Sequence, residues 1–245
     1  MTQFVNYLNL KDSELDQYIY RIISLDRLNQ LFNEKVNVLV SPELWDDPFE
    51  NFIMKSNVRF DDGTIANIDF SDDYYGQCWT LHKASDAMWR IYSNDKKSVR
   101  IRTTVRKLAE SLSSTLGELK NVQSYIGKVE YLPNKGLMAF ANTVLTGLPQ
   151  PTSFAKTLLV KRPAFRHEKE VRLIYMDKDK KIDSKLFSYS IDPHELVDQI
   201  MIDPRLTKSE ANEVKKQIIS STKFQGTIKR SLLYDLPEGM VFNFR

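Results

Sequence analysis

Between residues 18 and 40 the hydrophobic period changes twice, and this limits the fold more than any other feature of the chain. Tyr18-Ile19-Tyr20-Arg21-Ile22-Ile23 is a run of aromatic and β-branched residues and reads as a strand. Ser24 is placed to cap a helix, and Leu25, Leu28, Leu31 and Phe32 follow at helical spacing. Val36-Asn37-Val38-Leu39-Val40 returns to strand, and Ser41-Pro42 ends it. A strand, a short amphipathic helix and a strand are thus packed into one compact opening.

The interleaving continues. Gly76–Leu81 reads as a strand, and Ser85 caps a short helix carrying Met88, Ile91 and Tyr92. Ser98–Thr103 alternates apolar with basic residues, the sign of a half-buried strand. Thr104 opens a helix whose apolar stripe is Val105, Leu108, Leu112, Leu116 and Leu119. Val122–Tyr131, Val171–Tyr175 and Ile200–Ile202 are further strands. Thr207-Lys208-Ser209-Glu210 is a capping box ahead of the stripe Ala211, Val214, Ile218. Strands and helices alternate irregularly, so the expected class is α/β (α+β), a mixed β-sheet packed by several helices.

No repeat or low-complexity linker divides the chain, and residues 1–245 are expected to form a single globular domain. Within it, about 43–73 reads as an acidic surface insertion: Asp46, Asp47, Glu50, Asp61, Asp62, Asp69, Asp72 and Asp73 face only Lys55 and Arg59. The simplest expectation for these carboxylates is a solvated face.

Several chemistries are set aside. Cys78 is the single cysteine, which leaves no intramolecular disulfide and no cysteine-based zinc site. His82, His167 and His194 are too dispersed to suggest a metal by local spacing, and no metal is expected. Neither glycine-rich phosphate loop occurs. No leader-like amino terminus and no long apolar run is seen, so the expectation is a cytoplasmic protein without a membrane partner. The net charge of +3 neither requires nor excludes nucleic acid.

Polar chemistry concentrates in three segments. If the chain is extended from about Glu168, then Glu168, Glu170 and Arg172 share one strand face, with Val171, Leu173 and Tyr175 on the other. Taken alone, the three charges read first as the solvent face of a strand. In Met88-Trp89-Arg90-Ile91-Tyr92, Trp89 and Tyr92 lie on one side of a helix, where they serve as core or as a platform for a planar ring. In Asp46-Asp47-Pro48-Phe49-Glu50 the acids either enter a cleft or bond the turn's own amides. Separately, Arg100, Arg102, Arg106 and Lys107 form a basic stripe suited to phosphates, or a plain solvated surface.

In order, Tyr20-Arg21, Asp47-Pro48-Phe49-Glu50, Cys78, Met88–Tyr92, Phe165–Arg172 and Ile200–Ile202 resemble the bacterial domain-of-unknown-function family 2971. This chain has Asp46 where that family has Asn, and Phe165 where it has Trp. The layout is also similar, more loosely, to ADP-ribosyltransferases. That likeness implies NAD as substrate, with Tyr20, Arg21, Asp47, Glu50, Trp89 and Tyr92 binding it and Glu170, Glu168 and Arg172 in catalysis. It further implies a protein or nucleic-acid acceptor and a toxin or phage-defence setting with an antitoxin or defence partner. Two other readings stand beside it: a nucleic-acid-binding or nucleolytic module using Arg100, Arg102, Arg106 and Lys107, and a non-catalytic sensor or interaction protein.

Overall fold

A computed structural model describes residues 6–45, 47–50, 52, 53, 56–59, 62–67, 73–117, 123–146, 151–177, 184–236, 239, 241, 243 and 244. The opening folds as its periodicity dictates. Strand β2 (Tyr18–Ser24) runs into helix α1 (Leu25–Asn33), whose first turn is capped by Ser24 accepting from the Arg27 amide, and β3 (Val36–Val40) follows. Ahead of them lies β1 (Asn6–Leu8). A two-stranded hairpin of β4 (Asn57–Arg59) and β5 (Ile65–Asn67) stands off the main sheet.

Next come β6 (Tyr74–Thr80), α2 (Asp86–Tyr92), β7 (Ser98–Thr104) and α3 (Val105–Ser113). Ser85 and Thr104 cap the two helices by accepting from the amides of Met88 and Lys107. The expected strand over 122–131 is broken into β8 (Ser124–Lys128) and β9 (Glu130–Tyr131), and its first residue lies outside the described ones. Helices α4 (Asn134–Thr146) and α5 (Pro151–Thr157) lead to β10 (Val160–Lys161) and β11 (Glu170–Met176). The chain continues through β12 (Leu186–Ser190), α6 (Pro193–Leu196), β13 (Gln199–Ile202), α7 (Lys208–Thr222) and β14 (Thr227–Arg230). Thr207 and Glu210 make the expected capping box at the start of α7.

Ten strands of the described residues form one mixed sheet, in the order β1-β8-β11-β6-β2-β7-β13-β14, with β3 and β12 attached beside β6. The edge pairs β1–β8 and β13–β14 are parallel and the inner pairs are antiparallel. Side-chain alternation then sorts the residues. Val171, Leu173 and Tyr175 join Ile19, Leu28, Leu108 and Ile200 in the larger core, as expected from the sequence. Ile174 and Met176 point the other way, into a smaller core with Leu8, Tyr125, Ala155 and Leu158.

One irregularity positions the site. Among the described residues β2 meets β6 in register only at Tyr20–Thr80. Further along, β6 takes β3 as its neighbour instead, at Gly76–Val40. The sheet therefore parts between β2 and β6, and the gap opens beside the start of β11.

Candidate active site

Phe165–Arg172 does not run as one extended strand. Pro163–Glu168 forms a short 3-10 helix, and Lys169 turns the chain through a left-handed conformation with φ of 44° before β11 begins at Glu170. The correction is physical: the arginine before Pro163 is extended, Pro163 then starts a helical turn, and the left-handed residue ends it. Glu168 consequently reaches Glu170 from a turn, not from the same strand face. Thr80 fixes that turn by donating its hydroxyl to the Glu168 carbonyl at 2.5 Å.

Nor is this a solvent face. Glu168, Glu170 and Arg172 are all buried, Arg172 completely. Their partner is Lys161, a residue that sequence reasoning did not single out. Its ammonium lies 2.7 Å from Glu50, 2.5 Å from Glu168 and 2.7 Å from Glu170. Arg172 completes the cluster, donating Nε to Glu170 at 2.6 Å, Nη2 to Glu50 at 2.9 Å and Nη1 to the Leu158 carbonyl at 2.8 Å. Its guanidinium also lies 4.4 Å from the Trp45 ring. Such a buried network persists only when every charge has a partner.

Three glutamates face two cations here, one negative charge too many for a buried cluster. Glu168 absorbs the mismatch: burial, then the contact with Glu170, pushes its carboxyl up to about 7. Burial would raise Glu170 too, but Arg172 and Lys161 outweigh it and hold Glu170 well below the usual carboxylate range. One acid of the pair is thus held ionised and the other titrates near neutrality. Tyr131 fixes the start of β11 by accepting the Glu170 amide at 2.9 Å.

Glu168 and Glu170 border a cavity of about 160 Å³ where the sheet parts. Strand β2 contributes Tyr20, Arg21 and Ile22, β6 contributes Cys78, Trp79 and Thr80, and α2 contributes Met88 and Tyr92. The Tyr92 hydroxyl meets Glu168 Oε1 at 3.2 Å while its ring remains exposed. Arg21 has no hydrogen-bond or ion-pair partner among the described residues, and burial lowers its affinity for its proton. An uncompensated guanidinium beside a cavity is a site for an anion. Burial raises the Cys78 thiol, which argues against a thiolate nucleophile.

The structure thus brings Tyr20, Arg21, Tyr92, Glu168 and Glu170 together and leaves other sequence candidates outside the lining. Trp89 is 1% exposed and packed inward; its helical neighbours Met88 and Tyr92 face the cavity. Arg172 and Glu50 stand behind Glu170. Asp47 is buried too, accepting the Phe49 amide at 3.1 Å and pairing with Arg162 at 2.8 Å. For Asp47 and Glu50 the expected solvated acidic face is therefore wrong, because each is neutralised by a cation from the segment around β10. Asp46, Lys55, Asp61, Asp69 and Asp72 lie outside the described residues.

The basic stripe is dispersed among internal partners. Arg102 pairs with Asp198 at 2.6 Å, Arg106 with Asp16 at 2.8 Å, and Lys107 donates to the Glu195 carbonyl at 3.2 Å. Arg100 is buried, not solvated. Among the described residues no group of three His, Cys, Asp or Glu is arranged to hold a metal ion, and no helix is long and apolar enough to cross a membrane.

The model of the family described as protein of unknown function (DUF2971) matches residues 88–173. That span begins at the Met88–Tyr92 helix and ends just past Arg172, so it contains two of the motifs that carried the resemblance in the sequence. No curated protein matches the chain. Among solved structures, DarT of Thermus sp. 2.9 in complex with NAD+ is similar at 11% identity and a TM-score of 0.41, over 88% of this chain and 96% of that one. The same protein in complex with ADP-ribosylated ssDNA gives 11% identity and a TM-score of 0.41, over 88% and 94%. Its complex with carba-NAD+ gives 12% identity and a TM-score of 0.39, over 88% and 96%.

Proposed function

We propose that the chain is an NAD-consuming enzyme, an ADP-ribosyltransferase or NAD glycohydrolase, acting at the cavity where β2 and β6 part. The observation that carries this reading is the meeting of Arg21, Tyr92 and an unequal pair of carboxyl groups, Glu168 and Glu170, on one small cavity. At about 160 Å³ it is below the roughly 300 Å³ of pockets that hold whole drug-sized ligands. It suits a planar heteroaromatic ring and its adjoining sugar better than a complete dinucleotide.

Each group then has a task. The exposed Tyr92 ring offers a face for nicotinamide, with Tyr20 in the cavity wall beside it. Arg21 holds a phosphate or ribose oxygen of the substrate. The bond from ribose C1′ to the nicotinamide nitrogen breaks with its electron pair passing to the nitrogen, so nicotinamide leaves neutral and positive charge develops on the sugar. Glu170, held ionised, stabilises that charge without reorganisation. Glu168, titrating near neutrality, accepts the proton released by the nucleophile that captures C1′.

Water as nucleophile makes the protein a glycohydrolase; a nucleic-acid or protein acceptor makes it a transferase. Either activity suits a cytoplasmic toxin or phage-defence effector held in check by an antitoxin or defence partner. The test is nicotinamide release from NAD, with and without single-stranded DNA or protein acceptors. Glu170→Gln should slow release by about 10²–10³-fold. No release under any of these conditions, or release indifferent to Glu170→Gln, overturns the reading.

A further inference from the structure

A cavity of about 690 Å³ lies apart from the glutamate pair. Strand register builds it: Arg100 of β7 pairs with Met201 of β13, which pairs with Lys229 of β14, so the three share one sheet face. Lys215 from α7 and Lys83 from the segment after β6 also border it. No carboxylate is among its described lining residues. Arg230 borders it as well but is engaged by Asp235 and the Pro204 carbonyl.

Arg100 sets this groove apart from an ordinary basic surface. It is 4% exposed, and its Nε has no hydrogen-bond partner among the described residues. Its guanidinium rests 4.5 Å from the Tyr20 ring, a contact that leaves the N–H edge unsatisfied. Burial lowers its proton affinity, to a pKa of about 10, with no carboxylate to offset the loss of solvent. A buried cation without a counter-ion, in a groove of free lysines, is completed by an anion supplied from outside.

Several cations around one concavity favour a multivalent oxyanion over a single carboxylate. Met201 and Leu232 add apolar surface for an attached ring. The cation track stops at the groove, since Arg102 on the same strand face is taken by Asp198, so a long polyanion gains nothing further. We infer that the groove binds the phosphate of a nucleoside phosphate, with Arg100 as the buried donor, Lys215 and Lys229 on the rim and the base against the apolar side. This does not depend on the NAD-consuming reading, because binding can be measured without turnover.

Calorimetric titration of the intact chain with AMP, adenosine and a single-stranded oligonucleotide tests it. AMP should bind at least about tenfold more tightly than adenosine. Lys215→Ala combined with Lys229→Ala should weaken AMP by about tenfold, and Arg100→Gln by more. The lysine pair keeps the test decisive if Arg100→Gln fails to fold. Arg106→Ala, whose cation is taken by Asp16, should bind AMP as the natural chain does, so that a loss of affinity follows the groove and not the net charge. Repeating the AMP titration with saturating NAD separates two sources of phosphate: exclusion means that the groove receives the phosphates of the dinucleotide itself, and undiminished binding means a second nucleotide. Adenosine binding as well as AMP, indifference to the lysine pair, or binding of the oligonucleotide alone overturns the inference.

Discussion

Glu168 and Glu170 share the single ammonium of Lys161, at 2.5 and 2.7 Å, yet their proton affinities are pushed in opposite directions. The asymmetry comes from Arg172, which touches Glu170 and not Glu168. Two acids with separated proton affinities are the pattern expected where one must stay ionised and the other must exchange a proton.

The pair should leave a mark on pH dependence. Glu168 is raised to about 7 in the folded chain from an ordinary 4.5. Between those values the folded state binds more protons than the unfolded one, so this group's stabilising contribution is full below about 4.5 and is lost as pH rises through 7. Carbon-13 NMR should show one glutamate carboxyl titrating near 7, and Glu168→Gln should abolish it. A spectrum with every glutamate titrating below 5.5 would refute the assignment.

Lys161 carries the cluster. Lys161→Met leaves Glu50, Glu168 and Glu170 without their common cation and should destabilise the fold by about 3–5 kcal/mol in urea denaturation. Adding Glu50→Gln should recover part of that loss. Strict additivity of the two substitutions would mean that Glu50 and Lys161 do not interact as the geometry requires.

The turn at Lys169 gives a backbone test. Its left-handed conformation costs a side-chain-bearing residue about 1–2 kcal/mol. Lys169→Gly should leave stability unchanged or slightly improved, whereas β-branched Lys169→Ile should lower it by about 1–2 kcal/mol. Equal stability of the two variants would rule out the left-handed turn.

Tyr92 has two separable contributions. Tyr92→Phe removes only the hydroxyl that meets Glu168, so NAD turnover should fall few-fold while the carboxyl titrates higher. Tyr92→Ala also removes the ring face and should raise KM for NAD by about tenfold. If both variants behave alike, the ring is not a binding surface.

The first half of the fold was legible because its signals are local. Ser24, Ser85, Thr104 and Thr207 each announce a helix one residue ahead, and the structure uses all four as caps. Helices α4 and α5 carry no such local signal, since their burial is decided by distant partners more than by a sharp apolar stripe. At the site, sequence found the two glutamates but not Lys161, whose Val-Lys-Arg setting looks like a solvated strand end. Trp89 was ambiguous for the opposite reason: helical spacing places Trp89 and Tyr92 on one side, yet only packing decides which ring turns inward. The face of Glu168 could not be read at all without the left-handed Lys169.

Among the described residues the single rung between Tyr20 and Thr80 divides the sheet into two wings, β1, β8, β11, β6, β3 and β12 on one side and β2, β7, β13 and β14 on the other. Arg21 belongs to one wing and Glu170 to the other. Any molecule that grips both acts as a staple across a seam with little stitching of its own. Its arrival should therefore slow amide hydrogen exchange on strands it never touches.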